Sequence, residues 1–146
     1  MDFVPRIALA VELARAVALS ALMDISDGLA QDLPRMCAAS GVGAVVDLAL
    51  LPLTAAARQL AAADGRSAAL HGLCDGEDYE LLIALPAEAW AGLAARSAQS
   101  ALPLGGGVLG AGVPLTRIGT VTAGRELVVL EGGVARPWPK GGWEYH

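Results

Sequence analysis

Two short stretches hold most of the residues in this chain that could do chemistry. They are Asp24-Ile25-Ser26-Asp27-Gly28 and Gly76-Glu77-Asp78-Tyr79-Glu80-Leu81. The first places two carboxylates and a hydroxyl on a turn between a predicted strand and a predicted helix. That spacing can aim both carboxylates at one point, and Gly28 allows a backbone shape that other residues resist. The second gathers three carboxylates around a tyrosine at the head of a predicted strand. If that segment is extended, Glu77 and Tyr79 face one way and Asp78 and Glu80 the other. Like charges this dense repel unless a cation sits among them, and magnesium carried on phosphates is a common occupant. Each stretch also has a plainer reading. Ser26 or Asp27 could serve only as a helix N-cap, and the acidic segment could be a solvated strand end. Asp32, one turn into the helix, reads as a solvated surface residue.

Other patterns carry less. Gly105-Gly106-Gly107-Val108-Leu109-Gly110 fits G-x-G-x-x-G, but Pro103 precedes it and Pro114 with a strand follows. A dinucleotide fingerprint needs a strand before and a helix after, so this segment reads as a loop. No G-x-x-x-x-G-K-[ST] occurs. His71 lies in an apolar helix and reads as structural or surface. No Ser/His/Asp or Cys/His arrangement stands out, so no residue is assigned as a catalytic nucleophile or base. Cys37 and Cys74 form no C-x-x-C pair, which argues against a zinc site or a redox dithiol and fits a reduced cytoplasmic protein.

Several elements must position the two stretches. Residues 6–20 read as a helix with Ile7, Ala10, Val11, Ala14 and Val17 as its apolar stripe. Residues 21–23 form a short strand delivering Asp24. Residues 28–40 form a helix stopped by Gly41, with Pro34 expected to kink it or delay its start. Residues 42–48 are a buried strand. Thr54 caps a helix over 55–63 with Gly65 after it, and 67–73 is another short helix. Residues 79–85 are a strand ended by Pro86, and 87–100 a helix. Residues 113–122 and 126–130 are expected to pair as a β-hairpin, and Gly132-Gly133 leads into an irregular tail with Trp138 and Trp143. The order predicts an α+β fold, a mixed β-sheet with packed helices, in a single domain over 1–146.

Composition narrows the function classes. Of 146 residues, 55% are hydrophobic and 17% charged, and the net charge is −5. There is no basic stripe to neutralise a nucleic-acid backbone. The first residues are too polar for a signal peptide, and the apolar run at 7–22 is interrupted by charge, so no membrane span is expected.

Taken together, the two motifs resemble thiamine-monophosphate kinase, specifically its C-terminal domain, within the aminoimidazole-ribotide-synthetase-like superfamily. Further features agree in order: Pro5-Arg6, Gly41-Val42-Gly43-Ala44 leading to Asp47, Leu51-Pro52-Leu53, Val113-Pro114-Leu115-Thr116-Arg117-Ile118-Gly119, and Gly142-Trp143-Glu144-Tyr145. The resemblance implies the superfamily's fold and an ATP-dependent phosphorylation of thiamine monophosphate to thiamine diphosphate. It implies Asp24 and Asp27 as ligands of Mg2+, Ser26 as a contact to ATP phosphates, and Glu77 and Trp143 as contacts to the thiamine substrate. Cys74-Asp75 departs from the small residues usual there and adds negative charge. The N-terminal domain that grips ATP in the family is absent from this sequence. The chain is therefore expected to be inactive alone, and an uncovered face could make it a homo-oligomer. The alternative is a non-catalytic ligand-binding or assembly module with the same fold.

Overall fold

The computed structural model describes residues 5–99 and 113–141. The helix expected over 87–100 therefore has its end outside the described residues, as do Gly105–Gly110 and Trp143. The element order is α1 (Ile7–Ala16), β1 (Ala21–Ile25), α2 (Leu29–Ser40), β2 (Gly43–Asp47), a 3-10 turn (Leu48–Leu50), α3 (Ala55–Asp64), α4 (Ala68–Cys74), β3 (Glu80–Ala84), α5 (Ala87–Gln99), β4 (Gly119–Thr122), β5 (Leu127–Glu131) and β6 (Val134–Pro137). This is the expected α+β fold. Its residues divide into two compact units, each made of two chain segments. Unit 1 joins Met1–Asp24 to Tyr79–Arg117, and unit 2 joins Ile25–Asp78 to Ile118–His146. No helix among the described residues is long and apolar enough to cross a membrane.

Unit 1 packs Leu9, Leu13 and Leu93 into one cluster, with Val17, Leu19, Leu81, Ile83 and Leu85 against it. Leu9 and Leu13 are one helical turn apart, so α1 buries the leucine side of its surface. This corrects the expected stripe, because Ile7 and Val11 are exposed. The run of alanines in α1 leaves either side apolar by residue type, and the larger leucines gain more by burial. Strands β1 and β3 pair in a two-stranded sheet.

Unit 2 is built on a four-stranded sheet in the order β4-β2-β5-β6. Strand β2 runs antiparallel to β4 and parallel to β5, with Val46 opposite Gly119 and Val129. The expected hairpin between β4 and β5 does not form, since β2 lies between them. The hairpin is instead β5–β6, with Glu131 opposite Val134. Its two turn residues, Gly132 and Gly133, both have positive φ, as a two-residue turn matched to strand twist requires.

The helix ends follow local chemistry. Gly41 is left-handed at the end of α2. Its N–H donates to the Ala38 carbonyl and that of Val42 to the Cys37 carbonyl, a Schellman closure. The Thr54 hydroxyl accepts from the Ala57 N–H at the start of α3, and the Ser67 hydroxyl from the Leu70 N–H at the start of α4. Pro34 neither delays nor ends α2, which begins at Leu29. A proline there cannot donate to the carbonyl four residues back. That carbonyl, on Ala30, accepts instead from the Trp138 indole N–H at 2.9 Å. One tail tryptophan thus packs back onto the domain.

Candidate functional site

The turn between β1 and α2 is gripped through its backbone. Gly28, with φ +94°, is the N-cap of α2, and no side chain caps that helix. The reading of Ser26 or Asp27 as a plain N-cap is therefore overturned. The Gly28 carbonyl accepts from the Gln31 and Asp32 N–H groups, both at 3.0 Å. Asp32 is fully buried. Its Oδ2 accepts from the Ser26 N–H at 2.9 Å and from the Asp27 N–H at 3.0 Å. This corrects the expectation that Asp32 is a solvated surface residue. The carboxylate turns back from the first turn of the helix towards the amides of the two residues before its Gly28 cap.

Arg35 completes this arrangement. Its Nη1 donates to Asp27 Oδ2 at 2.5 Å and to Asp32 Oδ1 at 2.7 Å, and its Nη2 to the Gln31 side chain. The bonds to the two carboxylates, that to Asp27 foremost, hold the guanidinium pKa above its ordinary value. Asp27 keeps only 14% of its side chain exposed, whereas Arg35 keeps 52%.

The acidic segment meets this turn from the other side. The Glu77 N–H donates to the Ser26 carbonyl at 2.8 Å. A side chain at Gly28 would stand 2.8 Å from the Asp75 carbonyl oxygen, and one at Gly76 would stand 2.9 Å from the Ser26 carbonyl oxygen. Both positions thus need glycine for the two segments to approach. Glu77 and Tyr79 have φ +65° and +52°, so the segment is not extended and the expected alternation of its side chains fails. The strand begins at Glu80. Left-handed backbone at bulky residues is costly and persists only where the surroundings hold it.

Asp24 is exposed, the penultimate residue of the strand β1. Glu80 pairs with Arg6 through two bonds, at 2.6 and 2.9 Å, in the fork geometry favoured by a guanidinium. Asp75 is turned to His71, whose Nδ1 stands 2.9 Å from Asp75 Oδ2. The extra negative charge of Cys74-Asp75 is therefore partly met by His71 of α4. His71 also faces Asp64 at 3.1 Å and is 2% exposed. Its spacing of four from Asp75, the residue that ends α4, was a readable signal. Among the described residues, no group of three or more His, Cys, Asp or Glu is placed to hold a metal ion. Ser26, Asp27 and Glu77 are brought together within unit 2. Trp143 lies outside the described residues.

The chain is similar to known proteins. Residues 4–131 match the family described as "AIR synthase related protein, C-terminal domain". A thiamine-monophosphate kinase of Rhodopirellula baltica is 38% identical over 117 residues, which is 80% of this chain and 33% of that protein. The thiamine-monophosphate kinase of Escherichia coli K12 is 41% identical over 110 residues, 75% of this chain and 29% of the relative. This chain thus spans about a third of the length of the curated relatives it matches. Among solved structures, "AaThiL complexed with AMPPCP and TMP" superposes with a TM-score of 0.69 at 26% identity, over 97% of this chain and 38% of that one. The thiamine-monophosphate kinase of Stenotrophomonas maltophilia K279a gives 0.65 at 34% identity, over 86% of this chain and 35% of the other. The chain belongs to the AIR synthase related family as a C-terminal domain, and its curated relatives are thiamine-monophosphate kinases.

Proposed function

We propose that this chain is the C-terminal part of a kinase that transfers the γ-phosphoryl group of ATP to the phosphate of thiamine monophosphate, releasing ADP and thiamine diphosphate. The observation that carries this reading is the joining of the two motifs at Ser26 and Glu77, in a relative of proteins that bear that name. In this reading Ser26 meets ATP phosphates, and Glu77 and Trp143 meet the thiamine part. Asp24 and Asp27 are the ligands offered to Mg2+. Their oxygen donors suit that ion, which takes one or two carboxylates and completes its shell with water and phosphate oxygens. When bound, the ion would neutralise charge on the phosphates. The chain's own part is to hold the hydroxyl and carboxylates in place, since phosphoryl transfer depends mainly on positioning and charge.

The rest of the site would come from an N-terminal domain outside this sequence, so the chain alone is expected to be inactive. Cytoplasmic placement fits its free cysteines, Cys37 and Cys74. A second reading, a non-catalytic module, draws on Asp27, whose charge Arg35 already meets without a metal. Mixing this chain with a separately expressed N-terminal half of a thiamine-monophosphate kinase tests both. ADP release that depends on thiamine monophosphate, absent from either half alone, supports the kinase reading. Asp27→Asn in the pair should then cost about a hundredfold or more in rate. A folded, associated pair that turns over nothing leaves the module reading.

A further inference from the structure

We propose that Asp32 is a positioning residue for the reaction, acting on Ser26 and Asp27 through their backbone amides. The inference rests on the kinase reading for its catalytic consequence but not for its geometry. Asp32 lies in the first turn of α2 and is 0% exposed. A carboxylate withdrawn from water is costly unless charge-assisted donors surround it. Three donors do so: the Ser26 N–H, the Asp27 N–H and Arg35 Nη1. Two of the three belong to the turn itself. Any shift of that turn would therefore strip partners from a buried charge.

The grip is two-sided. Asp32 donates its own N–H to the Gly28 carbonyl and accepts from Ser26 and Asp27 with its side chain. The Ser26 peptide is also held at its other end, where its carbonyl accepts from the Glu77 N–H. The residue proposed to meet phosphate thus has both backbone groups committed, one to α2 and one to the acidic segment. Arg35 bridges the carboxylates of Asp32 and Asp27, so the same cation orients the Asp27 side chain. Groups held this way need no rearrangement when charge develops on a substrate, which is the main source of rate in such sites.

The test compares wild type with Asp32→Asn and Asp32→Ala by amide NMR on this chain. Asn keeps the shape and one acceptor oxygen but loses the charge, and it serves if the Ala variant does not fold. We expect the Ser26 and Asp27 amide protons to move upfield. Their exchange should quicken about tenfold or more relative to the amides of Cys37 and Val46, as loss of a charged acceptor implies. Unchanged shifts, or exchange rising in step across α2 and β2, would overturn the proposal, because general loss of stability gives that pattern. In the complemented pair, Asp32→Asn should lower kcat about a hundredfold while KM for thiamine monophosphate stays within about twofold. An unchanged kcat would also overturn it. If the wild-type pair shows no turnover, the kinase reading falls and the amide result alone decides the role of Asp32.

Discussion

His71 shows how much a single side chain can set when two carboxylates flank it. Its ring is buried between Asp75 and Asp64. The bond to Asp75 first, and that to Asp64 next, raise its pKa above the usual 6.5. A raised folded-state value means that the charged ring stabilises the fold. That contribution is complete below the usual value and is lost as pH climbs through the raised one. Asp64 works in the opposite sense. The Arg66 N–H, and after it His71, lower its pKa, so its contribution is lost as pH falls through the lowered value. We expect the urea midpoint of the wild type to drop as pH rises from 6.5 into the alkaline range, and His71→Gln to flatten that drop. Parallel curves for the two proteins would show that the ring does not titrate with folding. At this scale the sequence marked the chemistry-bearing residues but not what each side chain meets. Asp32 and His71 looked ordinary because their value lies in burial. Burial depends on neighbours that the local spacing does not specify.

Pro34, Ala30 and Trp138 link one helix to the irregular segment that follows β6. The proline removes a helical donor, and the indole supplies one from more than a hundred residues away. Trp138→Phe keeps a ring but orphans the Ala30 carbonyl, which should cost about 1–3 kcal/mol in stability. Pro34→Ala restores a donor within α2, so the double variant should be closer to wild type than the sum of the single changes predicts. Chemical denaturation of all four proteins checks this, and strict additivity would mean that the two sites do not communicate. Helix ends were the most legible elements. Gly41, Thr54, Gly65 and Ser67 sit where local capping chemistry puts them. Strand order was not legible. The segments on either side of Ala123-Gly124 have the pattern of a hairpin, and only the competing pairing with β2 shows that they separate. The outward side of α1 was misread for a related reason, since its alanines make both sides apolar.

Each compact unit is assembled from two distant chain segments, so neither is complete until both have been made. The α+β class was readable from the order of elements, whereas this interleaving was not, because it depends on which strands find one another. Strand β2 illustrates the result. It is central, and both of its neighbours come from the far side of the α5 region. Until they arrive, Ala44, Val45 and Val46 present two open edges beside Leu48, Leu50 and Leu51. Pairings of high sequence separation form slowly, and open apolar edges invite contact with other chains. Recovery after dilution from denaturant should therefore fall as protein concentration rises, with folded protein held at the same concentrations as the control. A yield independent of concentration would show that β2 is covered early. The arrangement that gives the finished sheet a strand hydrogen-bonded on both sides thus leaves the same strand open to capture while it waits.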